Sequence, residues 1–343
     1  MTKIALLGAA GQIGTPLSLL CKASNLFTEI ALYDIVHTPG IATDLNHIDT
    51  KATVSGYLPS NDGLAKALSG ADIVVVTAGI ARKPGMTRDE LATNRHLRPL
   101  QSLFIQQPAH LTNASIIRDI FAQVAKTCPE AISCIVTNPV NSTVPVAAET
   151  LRAAGVFDPT CLFGVTTLDV VRASTFAAHA LGGDADPTSI KVPVIGGHSG
   201  ATILPLYSQA QPPIDLGAEL PNVINRVQFG GDEIVKSKQG AGSATTCMAY
   251  AGFRFVKALL TARSGTPVVE EAYVYLPGIA GGKEISTELG VDYFSVKVKL
   301  GQRGAEGLLP IGNLSDGENI LLGKAVEELK VNIQTGLSFV AEK

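Results

Sequence analysis

Four short apolar runs constrain this chain more than any other feature. KIALLG (residues 3–8), EIALYD (29–34), ADIVVVTAG (71–79) and AISCIVTNP (131–139) read as strands with apolar residues on both faces. Helical patterns separate them. One runs from Gly11 to Lys22, and another carries Ile116, Ile117, Ile120, Phe121, Val124 and Ala125 at three- and four-residue spacing. A strand that is apolar on both faces needs cover on both faces, and helices linking parallel strands supply it. The first half is therefore expected to be a doubly wound parallel sheet, and 343 residues leave room for a second domain.

From about Leu162 the texture changes. TTLDVVRASTFAAHAL reads as a helix, SIKVPVIGG as an antiparallel stretch, and GAGSATTCMAYAGFRFVKALL as a glycine-rich helix. YFSVKVKLG reads as a late strand, and GENILLGKAVEELKVNIQTGLSFV as a closing helix. The expected division is a sheet domain at 1–161 followed by an α+β domain at 162–343.

Composition excludes several classes. The formal charge is −3 with no basic stripe, so nucleic acid is not an expected partner. No apolar run reaches the length of a membrane span. MTKIALLG enters the first strand almost at once, and the chain ends AEK rather than in a peroxisomal tail, so a cytoplasmic protein is expected. Cys21, Cys128, Cys134, Cys161 and Cys247 are scattered, without a C-x-x-C. They are expected to be reduced and mostly buried, and no metal site is expected.

Gly8-Ala-Ala-Gly11-Gln12-Ile13-Gly14 follows the first strand and opens a helix. Such a turn lets the backbone approach a pyrophosphate, which then meets the N–H donors of the helix N-terminus. Asp34 lies 20 residues beyond Gly14, at the end of the second strand. There a carboxylate accepts hydrogen bonds from the adenosine ribose and repels a 2′-phosphate, which favours NAD over NADP. The sheet is thus expected to be a Rossmann domain. Two further features carry chemistry. LDVVRAS sets Asp169 and Arg172 three apart on one helical face, and VIGGHSG sets His198 in a glycine-rich turn after a strand.

GAAGQIG, LYD, AGIARKPGMTRDEL, IVTNPVNS, GVTTLDVVRA, VPVIGGHSG and KQGAGSAT occur in this order. Together they closely resemble the dimeric, mitochondrial-like malate dehydrogenases of the lactate/malate dehydrogenase family. The resemblance runs from Ile4 to the last helix. FGGDEIVKSKQGAGSAT and YVYLPG look most like a non-mitochondrial form. The resemblance implies NAD as cofactor, malate and oxaloacetate as the dicarboxylate substrate pair, and a homodimer. It implies that His198 accepts the C2 hydroxyl proton as hydride leaves for the nicotinamide, and that Asp169 orients the imidazole. Arg172 would clamp the C1 carboxylate, Arg82 would read the second carboxylate, and Arg88 would close over the site and polarise the C2 oxygen. Related lactate dehydrogenases carry glutamine where Arg82 stands, so Arg82 implies a dicarboxylic substrate. Asn138 would touch both substrate and the nicotinamide region. Asn113 and Met248 would join Gly8, Gly11, Gln12, Ile13, Gly14 and Asp34 as cofactor-binding residues, with Ser243 facing the nicotinamide beside Met248. Other readings on the same scaffold are a different 2-hydroxy-acid dehydrogenase, or an NAD-binding protein with impaired catalysis.

The family pattern breaks once. About seven residues separate the second loop arginine from the next helix's asparagine in the family, but Asn113 lies 25 residues past Arg88. The surplus is 25 − 7 = 18 residues, roughly Thr93–His110. Lengthening a loop this much costs only on the order of 1 kcal/mol in closure entropy. The segment is a whole number of codons and its flanks rejoin the pattern, as a retained intron would; a transcript carrying it would exclude that origin.

Overall fold

The computed structural model describes residues 2–80, 113–183 and 185–341. Arg82, Arg88 and the segment 93–110 lie outside the described residues. In chain order the elements are β1 (Lys3–Leu7), α1 (Gly14–Ala23), β2 (Glu29–Tyr33), α2 (Thr38–Leu45), β3 (Thr53–Tyr57), α3 (Gly63–Leu68), β4 (Ile73–Val76), α4 (Asn113–Thr127) and β5 (Ile132–Ile135). There follow α5 (Val140–Ala153), β6 (Leu162–Gly164), α6 (Thr167–Leu181), β7 (Val194–Gly196), β8 (Ile203–Pro205), α7 (Leu220–Ser237) and α8 (Thr246–Arg263). The chain finishes with β9 (Val268–Tyr275), α9 (Gly282–Leu289), β10 (Tyr293–Gly301), β11 (Gly304–Leu308) and α10 (Asp316–Ala341).

The strands join in one sheet, ordered β3-β2-β1-β4-β5-β6-β9-β10-β7-β8, with β11 also on β10. The pairs from β3 to β6 are all parallel, and Leu7 of β1 lies level with Tyr33 of β2 and Val76 of β4. From β9 onward the pairing turns antiparallel. The chain leaves β1 for β2 and β3 on one side and returns to β4 on the other. This reversal opens a crevice at the carboxyl ends of β1 and β4, the place where open α/β sheets bind ligands.

The expected strands form because β-branched and aliphatic side chains are buried on both faces. Ile73, Val74, Val75 and Val76 are at most 1% exposed, as are Ile4, Leu7, Ile30 and Leu32. On α4, Ile117, Ile120, Phe121 and Val124 are buried, and Ile116 and Ala125 flank them half-buried. A second apolar cluster lies farther along the chain, where Val170, Ala173 and Ala177 of α6 meet Val194, Ile203, Tyr207, Val223 and Val227. The five cysteines are free, three of them buried. Among the described residues no helix is long and apolar enough to cross a membrane.

Two expected helices start later than their patterns. The first begins at Gly14, not Gly11, because Gly8–Ile13 forms the turn, with the Gly11 N–H donating to the Gly8 carbonyl at 3.1 Å. The glycine-rich helix begins at Thr246, because Gly240 and Gly242 hold φ of +82° and +122°, outside the helical region.

Candidate active site

The cofactor side of the crevice is built from backbone. Gly8 turns the chain off β1 with φ +89°, and a Cβ there would lie 2.4 Å from the Ala78 nitrogen. Only glycine lets the strands close at this point. Helix α1 then starts with Ile13 at its cap, which offers no side-chain acceptor, and no acidic residue stands in its first turn. The helix thus presents N–H donors and positive potential to the crevice. Asp34 follows β2, and its Oδ2 accepts from the Ala10 N–H at 2.9 Å. The carboxylate is thereby held against the glycine turn, one residue past the strand. A bare backbone turn, an uncapped helix start and a carboxylate at the second strand's end fit the pyrophosphate and ribose of NAD.

The opposite wall carries side chains. Asp169 and Arg172 stand on α6, and His198 sits in the turn between β7 and β8. The imidazole Nδ1 lies 2.6 Å from Asp169 Oδ2. Arg172 is 3.7 Å from the other carboxylate oxygen. Asp169 is fully buried, Arg172 about 11% exposed and His198 8%. A buried carboxylate is tolerable only beside cationic or N–H partners, and here it has an imidazole on one side and a guanidinium on the other. With Asp169 ionised, Nδ1 carries the proton, and the basic lone pair of neutral imidazole belongs to Nε2.

A crevice of about 310 Å³ connects the two walls. Of the residues expected at the site, Gly8, Gly11, Gln12, Ile13, Gly14, Asn113, Asn138, Asp169, Arg172, His198, Ser243 and Met248 all line it. Asp34 does not line it and lies beyond the glycine turn. Arg82 and Arg88 fall outside the described residues. Asn138 is exposed at the crevice, and its carbonyl accepts from Asn113 Nδ2 at 2.8 Å. Asn113 is only 2% exposed, and its Oδ1 accepts from the Ile80 N–H at 2.7 Å. The Asn113 carboxamide therefore ties the β4 loop to the β5 loop as well as lining the crevice. Among the described residues no group of His, Cys, Asp and Glu could hold a metal ion.

Sequence reading missed Thr137 and Asn141. Thr137 Oγ1 donates to the Ala78 carbonyl at 2.7 Å, which fixes the two strand ends against each other. Asn141 is fully buried and its Oδ1 accepts from the His198 N–H at 3.0 Å. Its place in IVTNPVNS was on view, but nothing in that string distinguishes a buried amide from a helix-cap residue.

This arrangement has close counterparts. The chain matches the lactate/malate dehydrogenase NAD binding domain over residues 2–97 and 110–164, and the alpha/beta C-terminal domain of the same enzymes over residues 166–340. It is 48% identical over 340 residues to the mitochondrial malate dehydrogenase of Felis catus, covering 98% of this chain and 91% of that protein. The mitochondrial malate dehydrogenase of Schizosaccharomyces pombe is 46% identical, at 99% and 92% coverage. Among solved structures, the Cryptosporidium parvum malate dehydrogenase superimposes with a TM-score of 0.78 at 29% identity, covering 98% of this chain and 99% of that one. The Picrophilus torridus enzyme shares the fold, with a TM-score of 0.82 at 24% identity and 99% coverage of both chains. Matches to both halves, over almost the whole length and around the same crevice, leave one conclusion: the chain belongs to the lactate/malate dehydrogenase family.

Proposed function

We propose that this chain reversibly oxidises (S)-malate to oxaloacetate with NAD. The observation that carries the reading is the His198–Asp169 contact of 2.6 Å at the wall of a crevice whose other wall is the glycine turn and the start of α1. NAD, when bound, supplies the acceptor for the C2 hydride. His198 Nε2 takes the hydroxyl proton as the C2–O bond becomes a carbonyl, and returns it in the reverse direction. Asp169 holds the ring by Nδ1 and stabilises the imidazolium that forms. Arg172 faces the crevice with a planar donor pair suited to the C1 carboxylate. The loop arginines Arg82 and Arg88 are assigned the second carboxylate and the C2 oxygen on the family pattern alone. Relatives named malate dehydrogenase, at 46–48% identity, favour this reading over another hydroxy acid or a non-catalytic NAD binder.

Three finer points belong to the proposal. The domain division is placed near 161–162; the two family matches meet between 164 and 166, and β6 still pairs in parallel with β5. The segment 93–110 is taken as surplus to the family, and the gap in the family match between 97 and 110 supports this. A homodimer and a cytoplasmic site are carried over from the sequence resemblance. The relatives named above are mitochondrial forms and weigh against the second. Sedimentation and cell fractionation test these two.

The chemistry is tested by His198→Gln. The variant is expected to lose roughly 10²–10⁴-fold in kcat for malate while its NADH affinity holds within about twofold. Undiminished turnover in the variant would remove His198 from the mechanism.

A further inference from the structure

We propose that Asn141 is a positioning residue for proton transfer: it sets the height and tilt of His198 by holding that residue's backbone, and it anchors the histidine turn to the C-terminal helix. The inference rests on the reading of His198 as proton acceptor.

Nδ1 of His198 is fixed by Asp169 at 2.6 Å. The second fixed point is the main chain. Asn141 Oδ1 accepts from the His198 N–H at 3.0 Å. Asn141 Nδ2 lies 2.9 Å from Ser199 Oγ, 3.2 Å from Thr202 Oγ1 and 3.0 Å from Asn332 Oδ1, and its two hydrogens are shared among these acceptors. One carboxamide thus grips the residue that acts, the residue after it, the end of the same turn and a helix 191 residues away in sequence. The turn closes on itself as well: the Ser199 N–H donates to Thr202 Oγ1 at 2.9 Å, and the Gly197 N–H to the Thr202 carbonyl at 2.7 Å.

Gly197 shows how tightly the grip is built. A Cβ on it would lie 2.6 Å from Thr202 Oγ1 and 2.7 Å from both carboxamide heteroatoms of Asn141. The glycine before the histidine is therefore the space into which the Asn141 side chain fits. On its other side, Ser142 Oγ donates to the Asn332 carbonyl at 2.9 Å, so α5 and α10 are clamped at the same level. Every polar partner in this cluster is uncharged, so the cluster sets geometry and adds no charge. Among the described residues, the charged groups lining the crevice are Asp169 and Arg172 on α6 and Asp232 on α7.

The test compares Asn141→Ala, Asn141→Asp and Asn332→Ala with the parent and with His198→Gln. Steady-state kcat and KM are read for malate and NAD, with NADH affinity by fluorescence. Asn141→Ala is expected to lose about tenfold or more in kcat, since a misplacement near 1 Å can cost about 10²-fold. Its NADH affinity should hold within about twofold, because the glycine turn is untouched. The loss should fall on kcat rather than on KM for malate, because the groups that bind the carboxylates stay in place. Asn141→Asp keeps an acceptor for the His198 N–H but loses the Nδ2 donor to the turn and to Asn332 and buries a charge, so it should lose kcat as Asn141→Ala does. Asn332→Ala removes one anchor and should give a smaller loss of the same kind; it carries the test if Asn141→Ala does not fold. A kcat unchanged in both alanine variants, with His198→Gln inactive, would overturn this proposal alone. An active His198→Gln would overturn the reading beneath it.

Discussion

Two carboxylates at this site do opposite work because of where the chain puts them. Asp34 stands at a strand end, where Oδ2 accepts from the Ala10 N–H and Oδ1 from the Ile35 N–H, with lone pairs left for further donors. Asp169 is fully buried and committed to His198 and Arg172. Replacing Asp34 with Ser removes the negative charge that would repel a 2′-phosphate. The ratio of kcat/KM for NAD over NADP should fall by roughly tenfold or more, with kcat for malate little changed. A ratio that stays fixed would mean Asp34 serves only to hold the glycine turn. Asp169→Asn should keep the fold and cost kcat strongly, because an amide that donates to Nδ1 forces the wrong tautomer, an effect of about 10⁴-fold where it has been isolated.

The same site depends on elements that never touch it. Helix α10 reaches the histidine turn because Gly336 lets it lie close on α5: a Cβ there would be 2.3 Å from the Ser142 carbonyl oxygen. Gly336→Leu must push α10 off α5, at a cost of about 1–3 kcal/mol for overpacking. Thermal unfolding should fall by several degrees, and kcat should fall with it, because Asn332 lies one turn away on α10. A lower Tm with undiminished kcat would uncouple the helix from the site. At this scale the sequence was legible in parts. β1, β2, β4 and β5 were readable as short continuous apolar runs buried on both faces, and α4 because its burial follows the helical period. Helix α5 was not, since VNSTVPVAAETLRA carries Pro145 inside it and buries Asn141, Ser142 and Thr143. Its polar residues look like a turn until the partners on α10 and the histidine turn are known. Helix α7 is masked by the glycines and acids of QFGGDEIVKS, and β9 by two adjacent glutamates. His198, Asp169 and Arg172 were legible as motifs, but their meeting across 29 residues of chain is a fact of the folded sheet.

For the molecule as a whole, the antiparallel half carries a pH liability. Burial, and then the charge of Glu270, push the Glu271 carboxyl up from 4.5 to about 7. Glu271 sits opposite Lys297 on β10. The folded state holds this proton more tightly than the unfolded chain, so stability falls as pH rises from about 4.5 to about 7 and then levels off. Glu271→Gln should raise Tm at pH 8 and change it little at pH 4.5; equal shifts at both would point to packing rather than ionisation. Removing residues 93–110 should leave the fold intact, since loop closure changes by only about 1 kcal/mol. The deleted protein also shows whether the surplus hinders turnover. The most direct measurement is the initial rate of NADH oxidation with oxaloacetate beside pyruvate, on the full chain. The account predicts brisk turnover of oxaloacetate and a kcat/KM for pyruvate lower by roughly 10⁴-fold, as unpaired polar groups can impose. A preference for pyruvate would contradict the assignment of a dicarboxylate to this site.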